Sequence, residues 1–303
     1  MEKSLKLKEF ALQRNGNELK TYINSRDGVS YQYYAQINGV FYCADNKIVD
    51  LKNEKIIELP AHQILVDYFI FDTKENKVSV YDQQIKDGFL DSVAKLEKIT
   101  VKGDLITLVK QDDKIKNVKD RTVKIQMRAG KIIGIEDHSV TKCGDLYLGH
   151  CTAIESVKMR NVQEIGDCFL NDNRATKELY QPNLERCGIR FLYNDNSLKV
   201  LNLPKLKKCG FQLLSKNNTL DIVALPSLED GGPYMLSSNQ SAQVFIASRL
   251  KKLGYDFMPN HLGRVKEEVG KQVKLTTYRQ LVEQEANDNV AKNAEHGQWW
   301  ELG

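Results

Sequence analysis

Glycine returns every 22 residues, six times in succession, at Gly144, Gly166, Gly188, Gly210, Gly232 and Gly254, with no insertion or deletion between them. A chain that repeats on this period is a solenoid: each unit is one coil, and a coil buries its apolar side chains only against its neighbours. With glycine at position 13, the coils begin at Ile132, Ile154, Thr176, Leu198, Leu220 and Ala242, and the sixth ends near Gly263.

Position 4 holds Ile135, Val157, Leu179, Leu201, Val223 and Phe245, and position 6 holds Asp137, Met159, Gln181, Leu203, Leu225 and Ala247. Mostly apolar residues two apart make a strand with one buried face. Position 9 is Val or Leu throughout, and pairs such as Phe169-Leu170, Phe191-Leu192 and Leu213-Leu214 at positions 16 and 17 fill the opposite wall. Pro182, Pro204 and Pro226, all at position 7, lack an amide donor and end their strands. The glycine is expected either to take a positive φ or to lie where the next coil comes too close for a Cβ. Position 20, with Cys151, Asn173, Asp195, Asn217, Asn239 and His261, reads as a structural polar ladder that bonds turn amides.

The order Leu-x-x-Asn/Cys-x-x-Leu-x-x-Leu-x-Leu-Pro-x-Leu-x-x-Cys-Gly runs from Leu192 through Leu198 and Pro204 to Gly210, with Asp195 at the Asn/Cys place. It resembles the BspA-like class of bacterial leucine-rich repeats over residues 132–263. Two departures touch the shape of the core: Phe-Leu or Leu-Leu stands where that class has Ala-Phe, and the unit is one residue shorter than its commonest length. The resemblance implies a leucine-rich repeat solenoid, a parallel β ladder with an irregular or short-helical convex side. It also implies the role of such proteins, which are surface or secreted binding proteins and adhesins.

Positions 3 and 5 point away from the core, on the sheet side where repeat proteins bind. The first three coils place Glu136, Lys158, Glu178 and Tyr180 there, and the last three place Val200, Asn202, Ile222, Val244 and Ile246, with Ala224 beside them. Charge and an aromatic on a rigid ladder suit specific recognition. An apolar stripe on a face that should be wet needs a cover. A partner protein and the chain's own C-terminal tail both fit, the tail being preferred. Val265, Val269 and Val273 fall at i, i+4 and i+8, and Tyr278, Leu281, Val282 and Ala286 form a second amphipathic pattern after Thr276-Thr277. Both tryptophans, Trp299 and Trp300, lie in the last residues and either dock on the solenoid or serve as a partner-binding end.

The expected division is a β-rich region at 1–128, the solenoid at 129–263 and a helical cap at 264–303. Within the first region, Asn38-Gly39 between Ala35-Gln36-Ile37 and Val40-Phe41-Tyr42 signals a hairpin, and Asp72 to Asn76 separates two more strands. The region is either a separate β domain or a run of degenerate coils. Short helices are marked weakly near Leu5 to Gln13 and near Asp87 to Leu96.

Little in the chain points to chemistry. Neither GxGxxG nor GxxxxGK[ST] occurs, nor do HExxH or GxSxG, and the five histidines are scattered. The six cysteines form no CxxC pair; His150, Cys151, Cys143 and Cys168 are the nearest to a cluster and read as packing, so no metal or cofactor is expected. Cys43 with His62 is the one sequence-near candidate for a nucleophile and base. Basic and acidic residues, 44 against 40, are mixed along the chain, which leaves no footprint for nucleic acid. No stretch approaches the roughly 20 apolar residues of a membrane helix, and the charged start is no secretory signal. The expectation is a cytoplasmic, non-enzymatic protein-binding protein. Two alternatives stay open: an effector-type enzyme with catalysis in residues 1–128, and a surface adhesin module that is exported without a signal.

Overall fold

The computed structural model describes residues 7–15, 18–25, 30–53, 55–112, 114–239, 241–242 and 244–253. The chain divides into two units, Met1–Ser139 and Val140–Gly303.

Turn chemistry builds the first unit out of antiparallel hairpins. Leu7–Asn15, Glu18–Ser25, Ser30–Ile37, Val40–Cys43, Lys47–Asp50 and Lys55–Glu58 form a six-stranded sheet in chain order. Asn38 and Gly39 both have positive φ, 52° and 80°, as a two-residue turn matched to strand twist requires. Gln63–Val66, Phe69–Asp72 and Lys77–Val80 form a three-stranded sheet. A third meander joins Leu96–Lys102, Leu105–Lys110, Thr122–Arg128 and Lys131–Asp137, each antiparallel to the next. Of the two marked helices, the first is instead the strand Leu7–Asn15, paired along its length with Glu18–Ser25. Cross-strand pairing overrides a weak local helix signal. The second is a five-residue helix, Gly88–Ser92, capped by Asp87, whose carboxylate accepts the Phe89 N–H at 2.7 Å and also the Tyr68 hydroxyl. Phe69 and Phe89 meet edge to face at 5.2 Å within the buried aromatic core of this unit.

Asp137 explains the one charged residue in the apolar column at position 6. It is fully buried at the end of Lys131–Asp137, takes the Lys110 ammonium at 2.7 Å, and accepts the Ser139 amide at 3.0 Å. A buried carboxylate is tolerated because it is paired and hydrogen-bonded.

The second unit is a β-solenoid. Its first ladder lies at positions 3–5: Ser156–Lys158 pairs in parallel with Glu178–Tyr180, and Val200–Asn202 pairs with Ile222–Ala224 and that with Val244–Ile246. The residue at position 4 faces inward in the first four of these strands, at Val157, Leu179, Leu201 and Val223. Between Glu178–Tyr180 and Val200–Asn202 the ladder is interrupted, and these strands belong to separate sheets. A second parallel ladder, at positions 11–12, runs through Lys142–Cys143, Glu164–Ile165, Arg186–Cys187, Lys208–Cys209, Asp230–Gly231 and Lys252–Leu253. Cys143, Cys187 and Cys209 are therefore inward-facing core residues of that ladder.

The arm that closes each coil is a series of tight turns with no α-helix among the described residues. Positions 15, 17 and 19 take positive φ, for example 58°, 48° and 61° at Cys168, Leu170 and Asp172. At position 16, Tyr147, Phe169 and Phe191 stack ring over ring, with centroids 5.9 and 5.1 Å apart. Asn173 at position 20 is buried and donates to the Ile154 carbonyl and the Thr176 hydroxyl, both at 2.8 Å, as a structural ladder should. The expected helical cap, Gly254 and His261 lie outside the described residues. Among the described residues no helix is long and apolar enough to cross a membrane.

Candidate functional site

The outward rows of the first ladder differ sharply between early and late coils. In the second and third coils, Ser156, Lys158, Glu178 and Tyr180 are all partly exposed. Parallel pairing sets Ser156 against Glu178 and Lys158 against Tyr180. Glu178 then bonds both residues of the preceding strand: its carboxylate accepts the Ser156 hydroxyl at 2.7 Å and meets the Lys158 ammonium at 2.9 Å. Tyr180 follows in the row of Lys158. Glu136 belongs to the first unit, where its carboxylate meets Lys124 at 3.0 Å and His138 at 3.5 Å.

The later coils carry the apolar stripe. Val200 and Asn202 are half-buried, whereas Ile222, Ala224 and Ile246 are only 8%, 9% and 6% exposed and form a cluster against which Val200 packs. Val244 is placed by its backbone pairing with Ile222. Trp299 and Trp300 lie outside the described residues.

Charge on the rest of the solenoid is arranged in columns that the sequence reading passed over. Lys177 meets Glu155 at 2.9 Å, Lys207 meets Glu185 at 2.9 Å, Lys251 meets Glu229 at 2.8 Å, and Lys142 meets Glu164 at 3.0 Å. Each pair joins one coil to the next at the same repeat position. The signal was available in the alternation Glu185, Lys207, Glu229, Lys251, each 22 beyond the last. Exposed pairs of this sort each add about 0–1 kcal/mol, so they favour the coil register more than they hold the fold.

The sites considered for chemistry are quiet. Cys43 is buried, its thiol donates to the Phe41 carbonyl at 3.6 Å, and burial pushes it up to about 12, the reverse of an activated nucleophile. His62 lies 3.6 Å from Asp72 instead. Burial also raises the Cys168 thiol and lowers His150, so both favour their neutral forms. Among the described residues no group of three or more His, Cys, Asp or Glu side chains is placed to hold a metal.

The scan against protein-family models finds no match for this chain, and the search of curated proteins finds none either.

Proposed function

We propose that this chain is a leucine-rich repeat protein of the BspA-like class, and that its solenoid recognises another protein without catalysis. The contact row is Ser156, Lys158, Glu178 and Tyr180, all within the second unit. The class assignment is supported by the 22-residue period, the Leu/Pro/Cys-Gly order and the parallel stacking of the coils.

The observation that carries the recognition reading is the row itself. Two charges and an aromatic ring are held, partly exposed, on paired strands, with the charges bonded to each other at 2.9 Å. Such a row is ordered before any partner arrives, which lowers the entropy cost of binding, and tyrosine supplies large contact area with few rotatable bonds. The buried, protonated Cys43 favours this reading over an enzyme in the first unit.

The test uses the full chain to capture protein partners and compares it with Lys158→Ala/Tyr180→Ala and with Ile189→Ser, a change at an exposed residue of the turn arm. The double variant is expected to weaken a captured partner by at least about tenfold, roughly 1.4 kcal/mol, with an unchanged melt. A partner that survives the double variant but is lost with Ile189→Ser would move recognition to the arm and overturn this assignment.

A further inference from the structure

Cys187 and Cys209, free thiols at position 12 of the third and fourth coils, stand directly opposite each other in the second parallel ladder. Earlier in that column the cysteines are kept apart, because Ile165 lies between Cys143 and Cys187. Residues opposite one another on parallel strands have α-carbons about 4.8 Å apart, inside the roughly 4.4–6.8 Å that a disulfide spans. Both side chains face inward and are buried. Each thiol leans toward the coil that follows it. The Cys187 sulfur takes a hydrogen bond from the Gly210 amide, next in sequence to Cys209. The Cys209 sulfur takes one from the Gly232 N–H at 3.4 Å and lies 3.8 Å from the Met235 sulfur. One sulfur therefore already rests against its neighbour's strand, and a turn of Cys209 about its Cα–Cβ bond brings up the other. The pair also sits where the coils are least tied. Glu178–Tyr180 and Val200–Asn202 do not pair, so the first ladder does not fix the spacing of these two coils. Bringing the β-carbons to about 4 Å for the bond asks for a strand movement of less than about 1 Å.

We propose that Cys187 and Cys209 form a redox-modification site, which a small-molecule disulfide oxidises to an intramolecular disulfide that staples the third coil to the fourth. In the closed coils both thiols are neutral: burial raises Cys209 to about 11, and burial and the neighbouring Cys209 hold Cys187 well above the ordinary thiol range. Only a thiolate attacks a disulfide, so reaction begins when this junction opens to water. One cysteine then gives its proton to solvent, and its sulfur attacks the small disulfide. That S–S bond breaks, a mixed disulfide forms on the protein, and one small thiolate leaves and is protonated. As the coils close again, the second cysteine loses its proton and attacks the protein-side sulfur. The protein disulfide forms, and the second small thiolate leaves and is protonated in turn. Two protein thiols are thereby oxidised and one small disulfide is reduced to two thiols. The staple joins the coils at the junction that lacks strand pairing in the first ladder, so oxidation closes the place where the reduced solenoid opens.

The test incubates the full chain with oxidised glutathione in native buffer, quenches with an alkylating agent, and digests without reductant for mass spectrometry. The peptides of Cys187 and Cys209 are expected to be linked to each other within one chain, and the link to vanish on reduction. After oxidation the Lys207 and Gly210 amides, which donate across the junction to the Glu185 and Cys187 carbonyls, should exchange at least about tenfold slower, and reduction should restore their rates. Recovery of Cys187 and Cys209 as alkylated thiols, or as separate glutathione adducts, would overturn the proposal. So would a link from either to another cysteine, a link found only between two chains, or a link that leaves the two amides at their former rates. The unsubstituted chain is used throughout, so no folding defect enters. None of these readouts involves a partner, so this site and the recognition row fail separately.

Discussion

Asp195 is a carboxylate in a column of amides. Asn173, Asn217 and Asn239 occupy the same position in neighbouring coils, and all four side chains are buried. Its Oδ1 accepts the Ser197 N–H at 3.2 Å, and its Oδ2 has no partner among the described residues. Burial, only partly offset by hydrogen bonds from Thr176 and from the Ser197 and Leu198 amides, raises it from 3.8 to about 6. A carboxyl raised on folding stabilises the fold fully below its unfolded value, and that contribution is lost as the pH rises through the folded value. The window is therefore pH 4 to just above 6, and the change amounts to roughly 3 kcal/mol at most. Asp195→Asn should be the more stable protein at pH 7 and should lose this advantage by pH 4. Urea unfolding of both proteins at several values across that window checks this, and a constant difference would show that Asp195 does not carry the charge. The ladder itself was legible, since short polar side chains at a fixed period announce their role. The misfit of one member was not, because it depends on how completely the carboxyl is cut off from water.

Of the two reasons offered for the recurring glycine, close approach and positive φ, the glycine column meets the first and the turn arm carries the second. At position 13 the requirement is space. A Cβ on Gly210 would stand 2.6 Å from the carbonyl carbon of Gly188 and 2.7 Å from its oxygen, and backbone atoms of a stacked coil cannot step aside. Positive φ falls instead at positions 15, 17 and 19, on residues such as Leu192, Leu214 and Lys216. An L-residue in this region costs about 1 kcal/mol and persists only where its surroundings fix it. Here the fixing bonds run between coils. The Arg190 N–H donates forward to the Phe211 carbonyl at 2.8 Å, Leu192 donates back to Phe169 at 3.0 Å, and Asn194 donates forward to Ser215 at 2.9 Å. No local preference of leucine reveals this, so the arm read only as an apolar wall, with an irregular or short-helical convex side supplied by the family resemblance. Gly210→Ala should cost about 3 kcal/mol or more, because two coils must part to admit it. A thermal melt measures the effect, and a loss below about 1 kcal/mol would mean that the coils can slide apart cheaply.

Across the whole solenoid, stability is a sum over neighbouring coils, so the weakest junction decides where it opens first. Most of this architecture was legible from one period: the solenoid itself, the inward column at position 4 and the stripe at Ile222 and Ile246 all follow from residues 22 apart. The second ladder was hidden because each of its strands is two residues long, too short for alternation to register. The interruption of the first ladder was hidden as well, since Leu179 and Leu201 look alike in sequence. Between the fourth and fifth coils that ladder supplies bonds from Asp221 and Ile222 to the Lys199 carbonyl and from Leu203 to the Ala224 carbonyl. Between the third and fourth coils the strands do not pair, and the join rests on the second ladder and the arm, as in Gly210 N–H to the Cys187 carbonyl at 3.0 Å. Losing about three bonds at roughly 1 kcal/mol each makes this junction weaker by about 3 kcal/mol. Native-state hydrogen exchange in low denaturant should then resolve two blocks: Leu203, Ile222 and Leu225 opening together, and Met159 and Glu178 opening with a different free energy. If all five amides merged into one isotherm, the second ladder and the arm would be carrying the coupling unaided, and the interruption would cost the solenoid nothing.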